Sequence, residues 1–553
     1  MKHISVATIG FCSIFIGTSA SLADLINVPN DHALIQDAID ASKDGDVIHI
    51  EAGTYNEHLL NPGGKAITIQ GTLNSNGSLA TSINGGNAGS SVFVIQSEED
   101  KGTVIKDLII TGGSANFGGG IYCVFADPTI TGCTITNNTS IYGGGGIWCG
   151  DMSNPNISSC TVMKNTTGRD ELLIYSNGGG INSSGGNPVI TDCTISNNAA
   201  NSSGGGISCY TNEHIIISDC TIEGNSAGTE NVQGYGGGIR CRGKAGFDIT
   251  ASISGCKIQG NSATYKGGGI NSIGLSSTID DCLISNNTCE NYGGGLHLQN
   301  SDSNIVDCII MNNSSKDGGG ITSYQSIPTI TNCTISGNTA SSSEFSCSGG
   351  GIFCYTQSHA VISNCMITNN QADQRGGGIS CLYSDVTITN CTLSENSAYK
   401  GGGINCFSSD PDIISCQILD NTAGTGGGIN CDSSSIAILD GSAVLNNRAS
   451  YKGGGIHVDF DGGICLLVDS IVCGNDLDQI DGNWNDYGGN TIADECPDCL
   501  GDATGDLFID TNDVIYILSA WGSNDVNADC DGNGVVNVDD ILTALSRFGK
   551  SCY

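Results

Sequence analysis

Hydrophobic residues in this chain recur on two scales. On the short scale they alternate: Ile121 and Cys123, then Cys133 and Ile135, stand two apart with polar residues between, and Ile130 marks a third short run. A period of two is the signature of a β-strand with one buried face. On the long scale the whole phrase returns. Three glycines followed by an aliphatic residue occur thirteen times, with that residue at 121, 147, 181, 207, 239, 270, 296, 321, 352, 379, 404, 429 and 456. The shortest step is 25 residues, and longer steps read as 25 plus an insertion. A fixed period of this size marks a solenoid built from one short unit stacked on copies of itself. Three short strands in 25 residues leave no room for a helix, so each unit is expected to form one coil of a parallel β-helix.

The glycine triplets hold fixed places in that period, which suits a turn of positive φ and close approach of stacked backbones. Coils ~4.8 Å apart, with two or three degenerate ones before Ile121, predict a rod about 75 Å long. Ahead of the repeats, residues 31–41 place Leu34, Ile35, Ala38 and Ile39 on one helical face, with Asp31 as the expected cap and Gly45 as the stop.

Val28-Pro29, this helix, 45–50, Gly53-Thr54-Tyr55 and 66–69 together resemble the N-terminal cap of pectate-lyase-like right-handed β-helices. The Gly-Gly-Gly-Ile and Cys-x-Ile-x-x-Asn units over about 110–475 resemble the right-handed β-helix repeats of bacterial surface and polymorphic outer-membrane proteins. The resemblance implies an all-β right-handed parallel solenoid with an N-terminal helical cap. It is nearly silent on activity, because lyases, hydrolases, adhesins and passenger domains share the architecture.

The first residues, Met1-Lys2-His3, an apolar run to Ile16 and then Ser21-Leu22-Ala23, read as a secretory signal peptide over 1–23. The run is too short for a membrane span and no later stretch qualifies, so an exported, extracellular or cell-surface protein is expected. Without that segment 18 Lys+Arg face 56 Asp+Glu, a net charge near −38. Nucleic acid and anionic membrane are poor partners for such a chain, and cations are good ones.

Of 28 cysteines, most fall in two files. Cys123, Cys149, Cys209, Cys241, Cys354, Cys381, Cys406 and Cys431 follow the glycines, with Ser183, Ser272 and Ser323 in the same slot. Cys133, Cys160, Cys193, Cys220, Cys256 and their successors to Cys416 form the other. Parallel Cβ vectors at the coil spacing are too far apart for a relaxed disulfide, so buried thiol ladders are expected, with a minority of pairs bridged.

Three units carry ten to twelve residues between the turn asparagine and the next glycines, at 166–177, 226–235 and 339–348. They are expected to project from one edge of the rod, where inserted loops often bind ligands; neutral length drift is the alternative. A separate expansion after Ile239 holds Arg240, Arg242 and Lys244, the one basic cluster.

Residues 24–490 are therefore assigned to the β-helix and 491–553 to a linker and a small tail, in which 502–522 and 529–549 are copies. Each copy places oxygen-bearing residues at loop positions 1, 3, 5, 9 and 12 ahead of an apolar, helical run: Asp502, Thr504, Asp506, Asp510 and Asp513, then Asp529, Asp531, Asn533, Asn537 and Asp540. Position 7 offers a backbone carbonyl, from Phe508 and Val535. Such loops wrap one Ca2+ each. The small core is expected from Val514, Ile517, Leu518, Trp521, Ile541, Leu545 and Phe548. The duplicated segment resembles a type I dockerin. That implies calcium-dependent docking to a cohesin-like module and, by association, work on polysaccharide. Leu507 replaces the usual glycine of the first loop, and Thr511-Asn512 and Val538-Asp539 differ from the Ser-Thr pairs of cellulosomal dockerins.

No catalytic phrase is recognisable around the six arginines, and the histidines are scattered. Asp192, Asp219, Asp281 and Asp307 precede cysteines of the second file, two pairs on neighbouring coils. They are either convergent carboxylates or solvated turn residues. The expected function is an extracellular β-helix that contacts polysaccharide and is tethered by its tail. A polysaccharide lyase or glycoside hydrolase, and a non-catalytic adhesin or surface-layer protein, are the alternatives.

Overall fold

The computed structural model describes residues 23–168, 175–211, 214–243, 249–342, 347–459, 461–496, 502–504, 509–525, 527–530 and 534–548. The expected signal peptide falls almost wholly outside them. The repeats form a parallel β-solenoid. A coil carries four strands, exemplified by Ile121–Cys123, Thr129–Thr131, Thr134–Thr136 and Thr139–Gly143. Stacked on their equivalents, these build four parallel sheets of 15, 18, 17 and 13 strands, called here the first to fourth. Register is residue on equivalent residue: Ile121 pairs Ile147 and Cys123 pairs Cys149. Eighteen strands in the longest sheet, ~4.8 Å apart, make a rod roughly 80 Å long.

The fourth strand corrects the expected three. It is often two residues long, as in Ala199–Ala200 and Ser226–Ala227, and its inward residue is a small one such as Ala200, Ala227 or Ala263. A single alanine carries almost no hydrophobic signal, so periodicity alone does not reveal it.

Inside, isoleucines from successive coils stack into one continuous core, with Ile121, Ile130 and Ile135 all fully buried. At one corner runs a ladder of buried asparagines, 138 to 475, one per coil. Asn138 accepts Gly113 N at 2.9 Å on Oδ1, and each later one accepts there the backbone N–H and the Nδ2–H of the preceding asparagine, as Asn287 does from Asn261 at 3.0 Å each. Gln479 ends the ladder, its Oε1 receiving Asn475 N at 3.1 Å and Nδ2 at 2.8 Å. The glycine triplet turns the chain beside it. Gly118 has φ +58°, and a Cβ on Gly119 would lie 2.3 Å from the Thr139 carbonyl oxygen. Both expected roles of glycine are therefore present.

The cysteine files are buried and unbridged. Thiols of the second file sit at the corner between the second and third sheets and donate to backbone carbonyls, Cys193 Sγ to Thr191 O at 3.1 Å and to Ile157 O at 3.6 Å. In the first file Ser183 does the same, to Gly186 O at 2.7 Å. Burial pushes the Cys289 and Cys354 thiols up to about 12, which keeps them protonated and inert. Among the described residues the one disulfide is Cys473–Cys496, with Cα atoms 5.0 Å apart. It lies outside both files and draws Ala493 and Cys496 over the outward side chains of Leu419 and Leu445.

The N-terminal helix spans Ile35–Ala41 and buries Ile35, Ala38 and Ile39 in the solenoid core. Its cap differs from expectation. Leu34 is the N-cap residue, and Glu57 accepts from Ile35 N at 2.9 Å and Gln36 N at 3.2 Å. Asp31 instead accepts from Asn27 N at 2.7 Å; a carboxylate three residues ahead of the N-cap does not reach the orphan donors, and Glu57 of the next coil does. The helix ends at Ser42, three residues before Gly45. Among the described residues no helix is long and apolar enough to cross a membrane.

Candidate functional site

In the first sheet the aliphatic residue and the cysteine, or the serine, leucine or valine in its slot, point inward, which turns the residues after each of them outward. Beside this face runs another file, the residue just before each glycine triplet. It is bridged coil to coil through Asn177, Ser203, Tyr235, Lys266, Tyr292 and Asp317, and again through Ser348, Arg375 and Lys400. Together these files carry most of the chemistry of the solenoid.

Three clefts open along them. One of about 350 Å³ is walled by Phe117, Tyr142, Trp148, Tyr210, Arg240 and Arg242. The next, about 260 Å³, lies among Lys266, Tyr292, His297, Gln299, Tyr324 and Tyr355. A third, about 250 Å³, shares Tyr292 and Tyr355 with it and adds Asp317, Ser348, Phe353 and Arg375. Rings of neighbouring coils pack on each other, Tyr235 on Tyr265 with centroids 5.5 Å apart, Tyr265 on Tyr292 at 6.1 Å and Tyr324 on Tyr355 at 5.4 Å. The insertions at 166–177, 226–235 and 339–348 end in this bridged file, at Asn177, Tyr235 and Ser348; residues 169–174 and 343–346 of the first and third lie outside the described residues. Arg240 and Arg242 of the basic cluster line the first cleft; Lys244 lies outside the described residues.

Burial shapes the charges here. It lowers the Arg240 guanidinium to about 10, helped by Arg242 alongside, and it lowers Lys266. His297 is fully buried against the Asn271 amide, 3.0 Å from its Nδ1. Desolvation first, and Lys266 second, hold its imidazole neutral. Asp317 is driven the other way, up to about 7 by burial, although Ser348 N donates to its Oδ1 at 2.9 Å. A carboxyl that titrates near neutrality, a neutral imidazole and a desolvated ammonium within three consecutive coils can exchange protons with a ligand.

None of these residues was singled out by a sequence phrase, apart from the two arginines. The available signal was phase: Tyr235, Lys266, Tyr292, Asp317, Arg375 and Lys400 all stand immediately before a glycine triplet. By contrast Asp192, Asp219, Asp281 and Asp307 sit at the corner between the second and third sheets with φ between 48° and 55°. Gly132, Asn332 and Asn364 take the same corner with φ 63°, 55° and 53°. The position selects residues that tolerate the left-handed region. These aspartates line none of the three clefts.

In the tail, helices span Thr511–Ser519 and Val538–Ser546, each opened by a capping box. Asp513 and Asp540 are completely buried. Asp513 accepts Asp510 N at 2.8 Å on one oxygen and Thr504 N and Oγ1, both at 2.9 Å, on the other, and Thr504 Oγ1 reaches Asp502 Oδ1 at 3.4 Å. In the second copy Asp540 accepts Asn537 N at 2.7 Å, Asp529 accepts Gly534 N at 2.7 Å, and Asn537 Nδ2 donates to the Val535 carbonyl at 2.9 Å. Asp506, Phe508, Asp531 and Asn533 lie outside the described residues, among which no cluster of three His, Cys, Asp or Glu side chains is placed to hold a metal. The donor set that is described, carboxylate, hydroxyl and carbonyl oxygen, suits a hard cation such as Ca2+. The core between the helices is smaller than expected. Ile517 and Ala544 are buried with Ile509, Ala528 and Val536, and Val514 and Ile541 pack against them, whereas Leu518, Trp521, Leu545 and Phe548 are half exposed.

The sequence profile described as right handed beta helix region matches residues 71–250, 237–376 and 326–495. The chain belongs to that family. Among solved structures it is similar to the A-module of the Azotobacter vinelandii mannuronan C-5 epimerase AlgE4, at 12% identity over 84% of this chain and 96% of that one, with a TM-score of 0.23. It is also similar to the PL6 family alginate lyase AlyGC, at 10% identity over 85% of this chain and 99% of the other, with a TM-score of 0.20. No curated protein sequence matches.

Proposed function

We propose that this chain is an extracellular β-helix protein that binds polysaccharide along the outer face of its first sheet. The observation that carries the reading is the run of clefts walled by aromatic rings that follow one another from coil to coil, edge-on in Tyr235–Tyr265–Tyr292 and tilted in Tyr324–Tyr355. A ring with one wet face offers flat apolar area at little entropic cost, and an extended glycan lays pyranose units along such a row. The tail is read as a calcium-dependent, dockerin-like module that would hold the rod to a cohesin-like partner, supported by the two buried aspartates and the oxygen-rich loops around them.

A catalytic reading, as a polysaccharide lyase or glycoside hydrolase, is favoured by Asp317, held near 7 in a cleft that adjoins Lys266 and His297. One experiment separates the possibilities. A glycan panel with and without Ca2+, scored for retention and for released oligosaccharide, gives binding without product if the protein is a binding module and product if it is an enzyme. Retention of no glycan at all refutes the assignment of this face.

A further inference from the structure

The cations of this acidic chain are not spread evenly. Acidic residues outnumber basic ones 56 to 19, yet Arg240, Arg242, Lys266, Arg375, Lys400 and Lys452 all lie on the first-sheet face or in the file beside it. Toward the C-terminal end these are neutralised within the fold, Lys400 by Asp432 at 2.9 Å and Lys452 by Asp481 at 3.8 Å. The other four have no carboxylate partner among the described residues. They rest on rings instead. Arg240 lies 4.7 Å from the Tyr235 centroid, Arg242 5.6 Å from Tyr210, and Arg375 5.0 Å from Phe407. Lys266 sits among Tyr265, Tyr292 and Tyr324 at 5.3, 5.8 and 5.8 Å.

Ring faces hold a cation in place without cancelling its charge. Arg240 Nε is buried with no hydrogen-bond partner, and Lys266 Nζ donates to the neutral Gln299 Oε1 at 2.9 Å. Desolvating a cation without a counter-ion costs free energy that a nearby carboxylate would recover. A chain with this surplus of acids leaves that cost standing at Arg240 and Lys266, while the half-buried Arg375 and the exposed Arg242 each rest on a ring with no carboxylate beside them among the described residues. Among the described residues the one carboxyl lining the three clefts, Asp317, is itself shifted toward its neutral form by burial.

We infer, on the reading that this face carries a glycan, that the glycan is a polyanion, carboxylated or sulfated, whose charges take the place of the missing counter-ions of Arg240, Arg242, Lys266 and Arg375. The spacing favours a polymer over a single sugar. Arg240 and Lys266 stand on neighbouring coils, and Arg375 stands four coils beyond Lys266, ~19 Å along the rod. A bound chain therefore meets a group of three cations, an aromatic stretch and a further cation.

The test is calorimetry of the full-length protein with matched polymers: polygalacturonate and its fully methyl-esterified form, dextran sulfate and plain dextran. An anionic member of a pair is expected to bind at least about tenfold more tightly than its neutral counterpart and to weaken with added salt. Lys266→Gln and Arg375→Gln should each cost roughly tenfold, while Lys400→Gln, whose charge is already paired, should change affinity less than about twofold. Retention of the parent melting profile qualifies each variant, and Arg375→Gln carries the test if Lys266→Gln fails to fold. Preference for polygalacturonate assigns a carboxylate ligand, preference for dextran sulfate a sulfate ester. Equal binding of neutral and charged members overturns the inference and leaves the glycan reading intact. Undiminished polyanion binding by both cleft variants overturns it as well, whereas failure of all four polymers to bind overturns the glycan reading beneath it.

Discussion

Replacing Asn287 by alanine tests what the asparagine ladder contributes. Asn287 donates through Nδ2 to Ile258 O at 2.9 Å and to Asn313 Oδ1 at 3.0 Å, and its Oδ1 accepts Asn261 N and Nδ2. All of this is buried. The substitution removes four hydrogen bonds and strands two N–H groups of Asn261, while the Ile258 carbonyl stays in the strand ladder with Leu283–Ser285 and Asn313 Oδ1 keeps the backbone N–H of residue 287 at 2.9 Å. At ~1–3 kcal/mol for each stranded buried group, the loss is roughly 2–6 kcal/mol. Asn287→Asp is expected to be worse at neutral pH, since it points a carboxylate oxygen at two acceptors. Burial beside those acceptors raises that acid's pKa, so the damage is least in acid and grows as pH rises above ~4, its ordinary range. Guanidinium unfolding followed by far-ultraviolet circular dichroism reads the total. Hydrogen exchange at residues 258–262 and 311–315 reads the local part, because a solenoid couples mainly to neighbouring coils. Thr278→Ala, on an exposed position of the second sheet, is the control. A loss below ~1 kcal/mol for Asn287→Ala, or exchange no faster than in the control, refutes the claim that the ladder's amides are needed where they stand.

Three further outcomes are expected. Asp317 has its pKa raised to about 7, so its protonated form favours the fold; the burial penalty is absent below ~4, grows to pH 7 and is complete above it, and Asp317→Asn should match the parent at pH 4 yet be more stable at pH 8, by up to ~4 kcal/mol in chemical denaturation. Asp540→Ala, which removes a buried oxygen donor of the second loop, should abolish one of two calcium uptake events in calorimetry of the full-length protein and leave the other. Gly119→Ala places a Cβ 2.3 Å from the Thr139 carbonyl oxygen and 2.6 Å from that of Gly145, so it should lower the melting temperature markedly, whereas an alanine at Gly77, which meets nothing within 4 Å, should cost only the strain of its left-handed φ, ~1–2 kcal/mol.

The solenoid was legible because its code is redundant. Ile121, Gly118–Gly120 and Asn138 each recur in step, and any one file yields the period. Strand count was less legible, since the fourth strand is marked by little more than Ala200 or Ala227, residues at home in many contexts. The clefts were hardest to read. Lys266, His297 and Asp317 lie far apart in sequence and meet only because the register sets residue on equivalent residue, so their convergence is a property of the stack. Phase relative to the glycines would have exposed the Tyr235-to-Lys400 file, but a search for catalytic phrases looks along the chain and passes over it. The turn aspartates were open to two readings. Asp192 and Asp219 recur on neighbouring coils, and the left-handed φ they share with Gly132, Asn332 and Asn364, a backbone angle that no spacing reveals, accounts for their recurrence as corner residues.

The Cys473–Cys496 bridge has a consequence for how far the tail can roam. By strapping the chain to the side of the rod over Leu419 and Leu445, it moves the start of the leash from the end of the solenoid to Cys496. Only residues 497–501 then separate the anchor from Asp502, the first residue of the first tail copy, a reach of at most roughly 20 Å when fully drawn out. On the function proposed above, a leash that short would keep a glycan on the rod at high effective concentration around the partner of the tail. Reduction of that one bond would lengthen the leash and loosen such coupling without altering the first-sheet clefts or the tail loops.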